Sequence, residues 1–306
     1  KYGSEGAKAF YEMFVLDPQH AQAHDCGDIH IHDLDFFSLT TTCCQIDLSR
    51  LFAGGFNSGY GYLREPEDIE DYAALAYTAI QSNQNDQHGG QSVPKFDFDM
   101  APGVAKTYCR SYRRNLAKAC ELLCPSQADG DGVTAALERT FAQLEQDGLF
   151  PSLEGSQAYT LAERRLLTER LGCPDESVES AQRFAQKHSY EETERATYHA
   201  MESLILDLNT MHSRAGAQTP FSSLNYGTDT SPEGRMVIRS LLLAEQSGLG
   251  HGETPIFPIH IFKVKEGVNY RPEDPNYDLF CLACQVSAKR LFPNFSFLDA
   301  PYNLQY

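Results

Sequence analysis

The spacing of hydrophobic residues alternates between a helical and an extended period along the chain. Apolar residues recur at helical spacing within 4–17, from about Pro66 to Ile80, in four or five segments between 101 and 212, and within 230–250 and 278–291. β-Branched and aromatic residues predict strands within 27–48, 219–229 and 254–267, and the run at 297–306 is also strand-like. This order of elements predicts an α/β sheet or barrel with a helical insertion.

The stretch from Gly27 to Leu48 holds the densest set of chemically active side chains. It reads GDIHIHDLDFFSLTTTCCQIDL, and its composition predicts one strand that forms the wall of an active site. Alternation along a regular strand would place His30 and His32 on the same face. Cys43 and Cys44 are adjacent and would point to opposite faces, so that one can face the site while the other packs.

A second polar run, QSNQNDQHGGQS at 81–92, follows a predicted helix. Its small and amide residues predict a functional loop. Gly89 and Gly90 would allow close backbone approach, as in a phosphate-binding loop, but the Lys-Ser/Thr end of a P-loop is absent. The signal is therefore weak when taken alone.

Composition and net charge limit the classes of binding partner and the cellular compartment that we expect for this protein. The net charge of −17 argues against a nucleic-acid partner, which is normally bound by clustered Lys and Arg, whereas free nucleotides can bind through local amides and helix N-termini. Nine irregularly spaced cysteines are typical of thiols that stay reduced. No run of about 18 apolar residues and no secretory leader occurs, so we expect a cytoplasmic protein without a membrane segment.

A metal site is one alternative for the histidines. His30, His32 and Asp35 could ligate a metal ion, as in metal-dependent hydrolases on barrels. Such sites need further ligands on later strands, and only His260 lies in a comparable strand, without a carboxylate or lysine partner. We therefore predict no metal site, and a hydrolase using His30 and His32 remains the alternative.

Several long motifs in fixed order resemble the anaerobic, class III ribonucleotide reductases, which are glycyl radical enzymes. They are GDIHIHDLD, TCCQIDL, the following GGF, QNDQHGGQS, GAQTPFSSLNYGTDTSPEGR, GLGHGETPIFPI, DPNYDLF and SAKRLFPN. The match runs from about residue 20 to the end and weakens through 110–190. The resemblance implies part of a ten-stranded α/β barrel of the glycyl radical enzyme type, with a helical insertion. Residues 1–306 would form an incomplete catalytic barrel domain, in which 110–212 is a mainly helical block.

The family reduces ribonucleoside triphosphates to 2′-deoxyribonucleoside triphosphates for DNA replication. The resemblance implies a glycyl radical on a C-terminal loop, installed by a separate iron–sulfur, S-adenosylmethionine-dependent activase. That radical generates a thiyl radical on a barrel cysteine, which abstracts the ribose 3′ hydrogen. Water then leaves from C2′, and a reductant closes the cycle.

The resemblance also assigns site residues. Cys43 matches the family's second active-site cysteine, on the reducing side, and His30 matches a histidine in the substrate pocket. Thr42 stands where formate-using members have Asn, which favours a thioredoxin-like or glutaredoxin-like donor over formate. The ATP or deoxynucleotide effector binds at a homodimer interface through the segment after the GGF loop, here Leu63 to Ile69, with Leu63, Arg64 and Glu67 as contacts.

Other family parts do not occur in these 306 residues. They are the Met-Gly-Cys-Arg stretch of the radical cysteine on its finger loop, the C-terminal zinc module, the glycyl-radical loop and the N-terminal ATP cone. We expect a piece of a longer protein that is inactive alone. Two further alternatives are another glycyl radical enzyme, of the pyruvate formate-lyase type, and a non-enzymatic nucleotide-binding module.

Overall fold

A computed structural model describes residues 2–37, 42–59, 61–124, 132–212 and 219–303. The helices are α1 (Tyr2–Phe14), α2 (Pro18–Asp25), α3 (Leu48–Phe52), α4 (Ile69–Asp86), α5 (Phe96–Leu123), α6 (Gly132–Gln146), α7 (Gln157–Leu171), α8 (Asp175–Thr210), α9 (Pro232–Ser247) and α10 (Tyr277–Arg290). The strands are β1 (Thr42–Gln45), β2 (Phe56–Asn57), β3 (Tyr62–Leu63), β4 (His88–Val93), β5 (Ser222–Tyr226), β6 (Ile259–Val264) and β7 (Asn294–Phe297). The protein is therefore an α/β protein, as the hydrophobic pattern predicts.

Five parallel strands form the main sheet in the order β1-β4-β5-β6-β7. These strands follow one another in chain order, without the reversal that marks a doubly wound sheet. Such an order is the one expected of a segment of a parallel barrel. Strands β2 and β3 form a separate antiparallel pair beside it.

The two faces of the main sheet differ in burial. Alternate side chains on one face, including Leu224, Tyr226 and Phe262, are fully buried in the core against the helices. The intervening side chains on the other face, such as Ile259 and Ile261, are only half-buried. Parallel sheets are normally covered on both faces, so this inner face is a surface that the described helices leave open.

The helical block has a core of its own. Helices α5, α6, α7 and α8 enclose a second buried cluster that includes Tyr112, Leu137 and Leu167. At its centre the carboxylate of Glu163 accepts hydrogen bonds from the hydroxyls of Tyr112 and Tyr159, both at 2.6 Å, and from Gln182 at 2.8 Å. The helical insertion predicted from the sequence is confirmed, and its buried acid is fully hydrogen-bonded.

The loop after β5 is held by a carboxylate from the first turn of α5. Oδ2 of Asp97 accepts hydrogen bonds from the backbone N–H groups of Gly227, Thr228 and Asp229 at 2.8–3.0 Å. Buried backbone donors need such partners, because leaving them unpaired is unfavourable. Because α5 directly follows β4, Asp97 thus holds the end of β5 close to the end of β4.

Two strand predictions and one loop prediction differ from the structure. Among the described residues of 27–48 the strand is limited to Thr42–Gln45, whereas His30 lies in an irregular segment and His32 in a turn before a short 3-10 helix, Leu34–Phe36. Gly27 and Asp33 have positive φ angles of 80° and 51°, which interrupt an extended chain. The polar run predicted as a loop instead contains β4, and residues 298–303 form turns rather than a strand.

Candidate functional site

The open inner face of the sheet contains a cavity of about 520 Å³ at β1, β4, β5 and β6. Its walls combine an apolar side with polar groups and the two adjacent cysteines, a composition typical of ligand sites. The inner-face residues that line it are Cys43, Gln45, Gly90, Ser92, Phe221, Ser223, Ile259 and Ile261. The cavity is the best candidate for a functional site around Cys43.

Cys43 has an unusual backbone conformation at this cavity. Its φ angle is 51°, in the left-handed region that residues other than Gly, Asn and Asp rarely adopt. The side chain is exposed, whereas Cys44 packs against the core and its Sγ accepts a hydrogen bond from Asn83 at 3.0 Å. The two adjacent cysteines therefore take different environments, as the sequence predicts.

The glycine pair of β4 lies directly beside Cys43. A Cβ atom on Gly89 would lie 3.0 Å from the Cys43 Sγ, and one on Gly90 would lie 3.2 Å from the Phe221 ring. The two glycines thus leave room for the Cys43 thiol and the Phe221 ring beside the cavity. This packing gives the glycine pair a structural reason, and the weak phosphate-loop signal of QNDQHGGQS gains no support from it.

His30 and His32 do not line the cavity. Both are exposed, with ring centroids 5.7 Å apart, and the His30 ring lies 5.6 Å from that of His24 on α2. The prediction of a regular strand at these histidines is wrong, because His30 lies in an irregular segment and His32 in a turn, although their rings are neighbours. Residues 38–41, which join this turn to β1, lie outside the described residues, so the substrate role of His30 stays a prediction.

The geometry does not favour the metal-site alternative. His260 is fully buried behind the sheet, where burial lowers its pKa to about 3, so it cannot join the exposed His30 and His32. Across the described ranges, no group of three or more His, Cys, Asp or Glu side chains is placed to hold a metal ion. A hydrolase built on His30 and His32 therefore has no observed ligand set.

The predicted effector segment follows the β2–β3 hairpin, in which Leu63 pairs with Phe56. The Arg64 guanidinium contacts the carboxylates of Glu67 and Asp71, the latter at 3.2 Å. Arg110 on α5 reaches the same segment, with its Nη1 2.7 Å from Asp68. Arg64 and Glu67 are thus brought together in an exposed, charge-paired surface.

A small hollow lies next to the effector segment. It measures about 230 Å³ and lies between the start of α4, α5 and α8. Its cationic side chains are Arg110 and Arg114, and Arg114 pairs with Glu192 at 2.7 Å. The sequence prediction missed both arginines, because helical periodicity alone makes them ordinary exposed helix residues.

The amide network behind the cysteines was also missed. Asn83 Nδ2 donates to Gln91 Oε1 at 2.7 Å, and Gln91 Nε2 donates to Gln84 Oε1 at 2.9 Å. Gln84 and Gln91 are almost fully buried. The amide-rich run at 81–92 was visible in the sequence. Interpreting it as a loop, however, does not predict which groups these amide side chains hydrogen-bond to.

Sequence comparison identifies the relatives of the chain. A family profile described as anaerobic ribonucleoside-triphosphate reductase matches residues 1–305. Proteins of that name from Salmonella typhimurium and Escherichia coli are each 26% identical over 291 residues, which cover 94% of this chain and 32% of theirs. The chain thus spans about a third of the length of these relatives.

Structural comparison gives the same fold. The anaerobic ribonucleotide reductase from Thermotoga maritima, in a structure with dATP and CTP, has a TM-score of 0.53 at 10% identity and covers 98% of this chain and 41% of its own. A structure of the same enzyme with citrate in the active site has a TM-score of 0.51 at 11% identity, covering 98% and 45%. This chain belongs to the anaerobic ribonucleoside-triphosphate reductase family, and its α/β fold matches part of that family's barrel.

Proposed function

We propose that the chain forms the cysteine-bearing part of the barrel in an enzyme that reduces ribonucleoside triphosphates to 2′-deoxyribonucleoside triphosphates by glycyl and thiyl radical chemistry. The observation that carries the proposal is the exposed Cys43 thiol at a cavity on the open inner face. Family membership supplies the reaction class, and the cavity supplies a place for one of its thiols.

Cys43 acts as a reducing thiol in this proposal. Replacing the 2′ hydroxyl of a ribose by hydrogen releases water and requires two electrons and two protons. One thiol supplies one hydrogen atom equivalent, so Cys43 and a second thiol would together supply the two and end as a disulfide, which an external reductant must reduce to close the cycle. Thr42 precedes Cys43 where formate-using relatives have Asn, which favours a thioredoxin-like or glutaredoxin-like protein as that reductant.

The cavity wall suits radical chemistry. Phe221, Ile259 and Ile261 form an apolar side, which keeps water from a reacting centre once the cavity is covered.

A glycyl radical on a residue outside this chain, installed by an iron–sulfur, S-adenosylmethionine-dependent activase, would supply the hydrogen-abstraction chemistry. The zinc module of the family would likewise lie outside these residues. His30 and Thr42 contact the substrate in this proposal.

Regulation is assigned to the surface after the β2–β3 hairpin. Leu63, Arg64 and Glu67 contact a nucleoside triphosphate effector there, ATP or a deoxynucleotide, at the interface of a homodimer. The support is that two arginines, Arg64 from the loop after β3 and Arg110 from α5, reach the same surface, and the guanidinium group is well matched to phosphate groups.

The test uses the full-length enzyme with Cys43→Ser. We expect deoxynucleotide formation to fall below detection, while the activase still produces the glycyl radical signal in electron paramagnetic resonance. Cys284→Ser, a change at an exposed thiol on α10, is the matched control and should keep activity. Normal turnover of Cys43→Ser would remove Cys43 from the reaction.

A further inference from the structure

The pairing of β1 with β4 is irregular at Cys43. Thr42 pairs with His88 and Cys44 pairs with Gln91, so one residue on β1 opposes two on β4. The two residues are Gly89 and Gly90, and Gly89 has a φ angle of 97°. This register shift has the two-against-one count of a β-bulge, a feature that redirects a side chain next to a site.

The bulge leaves a space that the Cys43 thiol occupies. A Cβ atom on Gly89 would come within 3.0 Å of the Cys43 Sγ and 3.3 Å of the Cys43 backbone nitrogen. Its positive φ also disfavours any other residue. Gly89 therefore has two independent reasons to be glycine, and one of them is the position of this thiol.

The left-handed conformation of Cys43 needs support from its neighbours, because it is unfavourable for a residue with a side chain. The support comes from the opposite face of the strand. Asn83 on α4 donates one amide hydrogen to Cys44 Sγ at 3.0 Å and the other to Gln91 Oε1 at 2.7 Å. Cys44 and Gln91 are the paired residues just after the bulge, so Asn83 clamps both strands there.

We propose that Asn83 is a positioning residue for Cys43, acting through Cys44 and Gln91, and that Gly89 provides the space for the Cys43 thiol at the cavity. The catalytic meaning of this positioning rests on the proposed function, whereas the position of the thiol can be tested without activity. Without the clamp, Cys43 relaxes to an extended conformation and its thiol withdraws from the cavity.

The experiment measures the alkylation rate of Cys43 by iodoacetamide, followed by peptide mass spectrometry, with the exposed Cys26 as an internal standard. Asn83→Ala and Cys44→Ala each remove the hydrogen bond between α4 and β1. We expect both to slow Cys43 alkylation by about three- to tenfold relative to Cys26, the range for one lost hydrogen bond.

Cys44→Ser is the matched variant, because its hydroxyl can still accept from Asn83. It should stay within about twofold of the wild-type Cys43 rate. A Cys43 rate in Cys44→Ala and Asn83→Ala that equals or exceeds the wild-type rate overturns the proposal. So does a Cys44→Ser rate as slow as that of Cys44→Ala, since packing rather than the hydrogen bond would then matter.

Gly89→Ala tests the space for the thiol and should also slow Cys43 alkylation. If this variant fails to fold, the Asn83 and Cys44 variants decide the question. The proposed function fails separately, through normal turnover of Cys43→Ser in the full-length enzyme. That result would leave the alkylation rates, and hence the positioning of the thiol, unchanged.

Discussion

The Nε2 atom of His260 on β6 lies 3.4 Å from Oε2 of Glu245 on α9, and both side chains are fully buried. The Tyr226 hydroxyl lies 3.0 Å from Nδ1 of the same imidazole. Burial raises the pKa of Glu245 to about 7 and lowers the pKa of His260 to about 3. Both groups therefore favour their neutral forms in the layer that supports the back of the site.

This pair predicts a specific pH dependence of stability. Protonated Glu245 stabilises the fold at low pH, and that contribution is lost as the pH rises from the unfolded pKa of about 4.3 through the folded pKa. The free energy of unfolding of Glu245→Gln should therefore rise relative to wild type by roughly 2–3 kcal/mol in total between about pH 4.5 and 7.

Urea unfolding followed by circular dichroism at several pH values measures this difference. The His260 contribution has the opposite sign, since its lowered pKa favours the fold above about pH 6.5, but it is common to both proteins and cancels. Glu121→Gln, at an exposed position on α5, is the control and should show no such trend. A pH-independent difference for Glu245→Gln would show that Glu245 is ionised in the fold.

The cysteines should fall into two groups that differ greatly in their rates of alkylation. Cys120, Cys124 and Cys173 are buried together in the helical block, and burial raises the pKa of both Cys120 and Cys124 to about 12. At about pH 8 the alkylation of Cys120 and Cys124 should be slower than that of an ordinary thiol by on the order of a thousandfold.

Time-resolved alkylation with mass spectrometry of the folded protein checks this expectation. The exposed Cys26 and Cys43 should be modified first, and the buried thiols should react only after urea is added. Rapid modification of Cys120 in the native protein would mean that the helical block opens readily. The prediction therefore also measures the stability of the α5–α8 core.

The sequence predicted the long helices and the strands β5 and β6 because those segments bury one face. The spacing in 230–250 and the apolar run of β6 follow directly from packing between helix and sheet. The segment around His30 did not follow the same rule, because its Ile and Phe residues have extended propensity but no partner strand in the described part of the chain. Propensity alone cannot show whether a backbone finds hydrogen-bonding partners.

At the candidate site, too, the conformation of single residues depends on contacts that the sequence alone does not predict. Cys43 was found from the motif that surrounds it, but its left-handed conformation depends on a register shift between β1 and β4. Such a shift is a relation between segments far apart in sequence. The glycine pair signalled special backbone geometry, and only the three-dimensional pairing shows that Gly89 lies against Cys43.

His30 and His32 provide a matched test of the substrate pocket. In the full-length enzyme, His30→Ala should raise the KM for the ribonucleoside triphosphate by about tenfold, the effect of a lost charge-assisted hydrogen bond. His32→Ala alters a neighbouring exposed imidazole whose ring centroid lies 5.7 Å away, and its KM should stay near that of wild type. Steady-state kinetics decide between them, and an unchanged KM for His30→Ala would remove it from the pocket.

The effector surface makes a prediction in which two substitutions act in opposite directions. Arg64 is paired with Glu67 and Asp71, so an incoming triphosphate competes with these carboxylates for the guanidinium group. Arg64→Ala should weaken binding of a deoxynucleoside triphosphate by about tenfold, whereas Glu67→Gln should strengthen it by roughly two- to fivefold.

Equilibrium dialysis with labelled nucleotide measures both affinities. Glu65→Gln is the control, because Glu65 pairs with Lys106 at 2.8 Å rather than with Arg64. Raising the salt concentration should narrow the differences, since these exposed charges are screened by ions. If Arg64→Ala binds nucleotide as tightly as wild type, the effector lies elsewhere. The arginines on α5 beside the small hollow, Arg110 and Arg114, would then be the next positions to substitute.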